Sequence, residues 1–253
     1  PRMERCEYDK LDQAEDRMWW FAALHRNLDV LSRRLLLETA GRPVLDAGCG
    51  TGGLLARLKK TYPEKTVFGL DLDPRACARA ALKGARPVCV GSVNDLPFAD
   101  STFAAIFSAD VLCHDGVRED AALRQFHRCL VENGWLILSL PAYRWMLSRH
   151  DVAVSNIRRY TGNGLRSLLQ AVGYQTVYLS YWNTLLFPLM VITRKLLPAN
   201  RAATSDVKLY PPVLDILCRV VTGIETGLLR IGLRMPFGGS VIAVAVKRDA
   251  AHG

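Results

Sequence analysis

The stretch that decides the fold reads Val44-Leu45-Asp46-Ala47-Gly48-Cys49-Gly50-Thr51-Gly52-Gly53. A short apolar run enters a glycine-rich turn, and an amphipathic stretch follows over 54–62, the pattern of strand, tight turn and helix. Glycines at such a turn let the backbone approach a ligand that any Cβ would exclude. Amides at the helix start favour polar or anionic groups. Working outward, β-rich runs at 66–70, 87–90, 103–109, 135–140 and 176–181 alternate with helical patterns at 75–83, 119–130 and 165–172. The 119–130 helix is expected to stop at Asn133-Gly134. An alternating run at 240–247 adds a seventh strand. Such alternation predicts a mostly parallel α/β sheet with helices on both faces.

Two segments stand outside the alternation. Residues 1–40 carry a helical pattern with the triplet Trp19-Trp20-Phe21, which reads as a lid over a ligand or as a staple to the sheet. Residues 183–238 form an apolar insertion before the last strand. Within it Leu214, Leu217, Val221, Ile224, Leu228 and Ile231 form one stripe, and Asp215, Arg219, Thr222, Thr226, Arg230 and Arg234 another. That spacing predicts an amphipathic helix of about six turns. The expected organisation is therefore 1–40, a core of 41–182 with 239–248, and the insertion at 183–238. No charge lies between Arg166 and Arg194, yet Gln170, Gln175, Asn183 and Pro188 interrupt that stretch. A span needs about 20 predominantly apolar residues, so none is expected.

Composition narrows the class. The 253 residues are 50% hydrophobic, enough for a sizeable core and too much for a disordered chain. The net charge of +9 is uneven: residues 1–140 hold 19 basic and 19 acidic side chains, residues 141–253 hold 14 and 5. The basic half suits an anionic partner. Nucleic acid is disfavoured, because no recognition module or aromatic-basic interleaving is present. Seven cysteines, odd in number and without a C-x-x-C pair, predict reduced core thiols rather than disulfides or a metal site. No charged, apolar, small-residue leader opens the sequence, so a cytoplasmic location is expected.

Gly48, Gly50 and Gly53 fit the G-x-G-x-x-G spacing of dinucleotide sites. Asp71, in Gly69-Leu70-Asp71-Leu72-Asp73, lies at the end of the second strand, where a carboxylate suits the hydroxyls of an adenosine ribose. NAD and S-adenosylmethionine both contain that ribose. Asp46 separates them: beside a pyrophosphate it would repel, beside the cationic aminoacid end of S-adenosylmethionine it attracts. The competing reading of Asp46 is a helix-capping acid.

With Gly91-Ser92-Val93-Asn94-Asp95-Leu96-Pro97-Phe98 and the run from Phe103 to His114, the chain resembles the class I S-adenosylmethionine-dependent methyltransferases, specifically the methyltransferase-11-like bacterial small-molecule group. The resemblance covers roughly 43–182 plus the last strand and implies a Rossmann-like seven-stranded sheet. It implies that Asp46, Gly48, Cys49 and Gly50 hold the methionine end of S-adenosyl-L-methionine. Asp71 would take the ribose, Leu72 the adenine face, Ser92 and Val93 the adenine edge, and Asp110 would face the sulfonium. The product would be S-adenosyl-L-homocysteine. Ser92 departs from the family, which often carries Asp there. A non-catalytic scaffold and an NAD-dependent oxidoreductase are the competing functions.

The acceptor is expected to be a small or lipid-linked molecule, anionic in character and most simply methylated on a hydroxyl. A hydroxyl needs a base, and His114, after the fourth strand, and His150, in Ser148-Arg149-His150-Asp151, are the candidates. Arg158-Arg159-Tyr160 reads as an anion clamp, with Trp20 and Tyr143 as further acceptor contacts. The insertion is expected to build an acceptor pocket, a homodimer interface or a peripheral contact with the inner membrane surface.

Overall fold

Val44 to Ala47 are buried throughout, as a central strand covered on both faces must be. They form β1 (Val44–Ala47) of the computed structural model, which describes residues 12–39, 41–196 and 210–248. The other strands are β2 (Val67–Asp71), β3 (Val88–Val90), β4 (Phe103–Ala109), β5 (Leu130–Pro141), β6 (Tyr174–Trp182) and β7 (Ser240–Lys247). They make a single sheet in the order β3-β2-β1-β4-β5-β7-β6. All neighbours pair in parallel except β7, which runs antiparallel between β5 and β6. The helices are α1 (Trp19–Leu37), α2 (Gly53–Thr61), α3 (Pro74–Leu82), α4 (Glu119–Cys129), α5 (Arg149–Ala153), α6 (Gly162–Ala171), α7 (Phe187–Val191) and α8 (Pro212–Arg230).

Strand alternation feeds two separate cores. Leu136, Leu138 and Leu140 of β5, with Val241, Ala243 and Ala245 of β7, face a layer containing Phe126, Leu165 and Leu169. The intervening Ile137, Ile242 and Val244 face the other layer, where Leu28 and Leu36 of α1 meet Leu55 and Leu58 of α2. Side chains of period two on strands with helices on both sides require this division.

The widest difference from the expected strand boundaries is at β5. Helix α4 ends at Cys129, and β5 starts at Leu130, where Leu130 already pairs with Phe103 across a β-bulge. Asn133, in the left-handed region with φ of 59°, and Gly134 thus lie within the strand instead of ending the helix. Asp73 caps α3 by accepting the Arg75 amide at 2.8 Å, and Thr161 caps α6 by accepting the Gly164 amide at 3.2 Å.

The insertion and the N-terminal helix belong together. Helix α8 lies along α1, with Thr226 donating to Asn27 Oδ1 at 2.7 Å and Arg26 Nη2 donating to Thr222 at 3.2 Å. Asp215 accepts the Trp19 amide at 2.8 Å. Helix α8 spans 19 residues, about five turns, and its inward face holds Thr222 and Thr226 of the polar stripe with Cys218, Glu225 and Leu229. Among the described residues, no helix is long and apolar enough to cross a membrane.

Candidate functional site

The glycine turn is built to bring backbone close to whatever occupies the cleft. The Gly48 and Cys49 amides donate to Leu70 O at 2.7 and 2.9 Å, folding the turn over the end of β2. Gly48 has φ of 87°, and a Cβ there would meet Val111 Cγ2 at 2.2 Å, so glycine is required on both counts. At Gly53 a Cβ would meet the Glu15 carboxyl carbon at 2.3 Å. A cavity of about 560 Å³ opens beside this turn.

Three carboxyls converge at the glycine turn. Asp46, at the C-terminal part of β1, is 1% exposed, and its Oδ2 has no hydrogen-bond partner. Glu15 reaches in from the N-terminal segment, accepting from Thr51 Oγ1 at 2.5 Å and from Lys83 Nζ at 3.4 Å. Asp71 accepts the amides of Gly50 and Asp73, both at 2.9 Å. Burial pushes the Asp46 carboxyl well above the ordinary range, and repulsion from Glu15 and Asp71 adds to it. Burial also raises Glu15 and Asp71, against the hydrogen bonds that favour their charged forms. Buried Asp46, with an unpaired oxygen beside two further acids, calls for a cationic ligand group. The acid set, the orphaned Asp46 oxygen and the cradle at Gly48 fit the aminoacid end of S-adenosylmethionine.

The cavity is lined by Asp46, Gly48, Cys49, Gly50 and Asp110 from the expected cofactor set. Asp71 joins it through the Gly50 hydrogen bond. Leu72, 55% exposed, and Ser92 and Val93 lie outside its lining; Ser92 Oγ accepts the Asn94 amide at 3.1 Å. Asp110 has φ of 54°, is half-buried on the cavity wall, and leaves Oδ1 without a partner. Burial, opposed by the nearby Arg159, raises its pKa to about 7.

The acceptor candidates separate. Arg159 and Trp20 line the cavity. Arg159 Nε and Nη2 donate to the two oxygens of buried Asp151 at 2.9 and 3.0 Å, and Nη1 donates to Ala142 O at 3.0 Å. Three of its five N–H groups are thereby used. Trp20 packs on Trp182, with ring centroids 5.5 Å apart. Arg158 is a structural clamp instead: its guanidinium donates to the carbonyls of Leu112, His114 and Val117, which removes it from the expected anion site. Tyr160 likewise donates its hydroxyl to Leu112 O at 2.9 Å, and burial raises its pKa. Tyr143 stacks on Tyr181, centroids 5.3 Å apart, outside the cavity lining, with its pKa pushed up to about 12 by burial.

His114 is not among the residues lining the cavity. His114 packs against backbone at Val154, Ser155 and Asp110, and burial outweighs those hydrogen bonds to lower its pKa. His150 belongs to α5, and its side chain lies outside the described residues. The sequence reading missed Glu15, His25, Asn183 and Cys218, all of which line the cavity. Glu15 lies four residues before the Trp19-Trp20-Phe21 triplet. Burial, with Arg57 and Lys83 nearby, drives His25 down to about 3, so it is neutral at physiological pH. Among the described residues, no cluster of His, Cys, Asp and Glu could hold a metal ion.

Residues 45–138 match a family model described as a methyltransferase domain. Over 143 residues the chain is 33% identical to a malonyl-[acyl-carrier protein] O-methyltransferase of Dechloromonas aromatica, covering 55% of this chain and 52% of that protein. It is 31% identical over 122 residues to a fatty-acid O-methyltransferase of Mycolicibacterium smegmatis, covering 47% and 44%. The chain spans about half the length of the curated relatives it matches. A solved S-adenosylmethionine-dependent methyltransferase of Mesorhizobium loti shares the fold, with a TM-score of 0.57 at 16% identity over 92% of this chain and 99% of that one.

Proposed function

We propose, for a chain that belongs to the class I S-adenosylmethionine-dependent methyltransferases, that the methyl group goes to an oxygen of an apolar, acyl-chain-bearing or lipid-linked acceptor. The observation that carries this reading is the two-ended cavity. One end is the acidic glycine turn; the other is apolar, lined by Leu186, Leu189, Met190 and Leu214 of the insertion with Trp19 and Phe21 of α1. The names of the O-methyltransferase relatives, which act on malonyl and fatty-acid groups, point the same way. A dinucleotide is disfavoured by Asp46, whose buried carboxyl beside Glu15 would repel a pyrophosphate.

When bound, S-adenosylmethionine supplies a methyl group already activated on sulfonium, so positioning accounts for much of the rate. Asp46 and Glu15 would hold its ammonium, and Asp71 its ribose hydroxyls. Asp110 is the group suited to take a proton from an acceptor hydroxyl, because a cavity-wall carboxyl raised to about 7 matches a general base to working conditions. Arg159, with two N–H groups left over, favours a second reading in which the acceptor oxygen is a carboxylate. Such an acceptor needs no base. A homodimer or a peripheral membrane contact through the insertion belongs to the same reading.

The test is transfer of a labelled methyl group from S-adenosylmethionine to extractable lipids, free fatty acids and acyl-carrier thioesters. Label recovered in a base-labile methyl ester supports the carboxylate form, and label in a base-stable ether supports the hydroxyl form. Label confined to water-soluble amines would overturn the oxygen-acceptor reading.

A further inference from the structure

Helix α8 is amphipathic in the unexpected sense. Its inward face holds Cys218, Thr222, Glu225, Thr226 and Leu229, while Val213, Ile216, Leu217, Val220 and Ile224 stand outward, between 55% and 80% exposed. These five recur at i, i+3, i+4, i+7 and i+11, one continuous stripe along the helix. An exposed apolar stripe of this length on a helix already docked by its polar face has no structural use in the isolated chain.

Charge indicates what would cover it. Both acids of α8 are taken inward: Asp215 accepts the Trp19 amide and pairs with Arg219, and Glu225, 1% exposed, accepts the Leu185 amide at 2.5 Å. The outward face therefore carries no carboxylate. Exposed Arg230 ends α8, exposed Arg234 follows four residues on, and exposed Lys195 follows α7 in the chain. Leu189 of α7 is 54% exposed and Leu214 of α8 39%, and both also line the cavity, so the apolar surface runs into the cavity mouth. Exposed Trp145 and Phe237, each packed on Phe187 of α7, add rings suited to the headgroup region.

We propose that the outward face of α8, with α7 and the Trp145–Phe237 rim, docks on an anionic lipid bilayer, and that the cavity mouth opens toward the acyl region there. The apolar stripe would enter the headgroup boundary and the cations would meet lipid phosphates. This deepens the apolar-acceptor reading, which shares the same mouth, but the test needs neither cofactor nor acceptor.

Purified chain is sedimented with phosphatidylglycerol-phosphatidylcholine vesicles and with phosphatidylcholine vesicles at low and high salt. Binding is expected on the anionic vesicles at low salt, weakened at least tenfold on the neutral ones or at high salt. The Ile216→Glu/Val220→Glu double variant, changed at exposed positions, is expected to lose at least tenfold in partitioning while keeping its melting temperature and its S-adenosylhomocysteine affinity. Absence of wild-type binding at low salt would overturn the proposal, as would an unaffected double variant. A dimer in sedimentation velocity that this variant dissociates, without vesicle binding, would make a second copy the occupant and equally overturn it. Methyl transfer to detergent-dispersed lipid is read separately, so either reading can fail alone.

Discussion

Asp46, Glu15 and Asp71 share one physical problem, three acids gathered where water is scarce, and a cation is its common solution. Burial raises the pKa of all three, that of Asp46 well above the ordinary carboxylate range. A bound cation lowers all three, and binding should release protons. Calorimetry of S-adenosylmethionine in buffers of different ionisation enthalpy checks the sign: the observed heat should track the buffer in the direction of proton release. Asp46→Asn should remove most of that dependence and weaken binding by roughly 1.5–3 kcal/mol, the range for a hydrogen bond to a charged group. Asp110 makes a second prediction. If it is the base, Asp110→Asn should lower turnover about 10²–10⁴-fold and abolish the rise of kcat with pH near 7, while leaving S-adenosylhomocysteine affinity in place. A carboxylate acceptor would leave turnover nearly unchanged. Asp46, Asp71 and Asp110 were legible because each ends or nearly ends a strand beside a turn. Glu15 and His25 were not, since their place at the cavity depends on how the N-terminal segment packs. The bases named from sequence rested on the intrinsic pKa of histidine; enclosure moves His114 down and Asp110 up, which reverses their order of suitability.

At the scale of elements, periodicity declared α8 amphipathic but could not say which stripe faces in. The decision rests with partners about 200 residues away: Asn27 and Arg26 present polar groups where an apolar face would have to lie. The outward stripe also sits slightly round the helix from the one read in sequence, because Val213, Ile216 and Val220 are exposed while Leu214 borders the cavity. Thr226→Val tests the polar junction. It removes the donor to Asn27 Oδ1, and Asn27 Nδ2 is already without a partner, so the amide would be left wholly unsatisfied in a buried place. The expected cost is about 1–3 kcal/mol in urea unfolding, more than a surface change would give. The β-strands were legible almost to the residue, apart from β5, whose early start follows from pairing with Phe103 across a bulge that no local pattern encodes.

The whole molecule carries a pH signature in which buried His25 and half-buried Asp110 oppose each other. His25, lowered to about 3, stays neutral when folded, whereas its ordinary value is near 6.5. Below pH 6.5 the unfolded chain takes a proton that the folded one refuses, so stability falls as pH drops toward 3. Asp110, raised to about 7, keeps a proton when folded that the unfolded chain gives up near 4. Its contribution is present below about pH 4 and is lost as pH rises through 7. Between pH 4 and 6.5 the two slopes partly cancel, each being at most about 1.4 kcal/mol per pH unit. Single substitutions separate them. Relative to wild type, Asp110→Asn should be more favourable to stability at pH 7 than at pH 5, because the asparagine has no proton to lose. Urea unfolding at the two pH values measures the difference, with S-adenosylhomocysteine absent. The same denaturation of His25→Gln should flatten the loss of stability from pH 6.5 to 4. An Asp110→Asn effect that is equal at both pH values would mean that this carboxyl is ionised in the folded chain, and Asp110 would then lose its standing as a base matched to neutral pH.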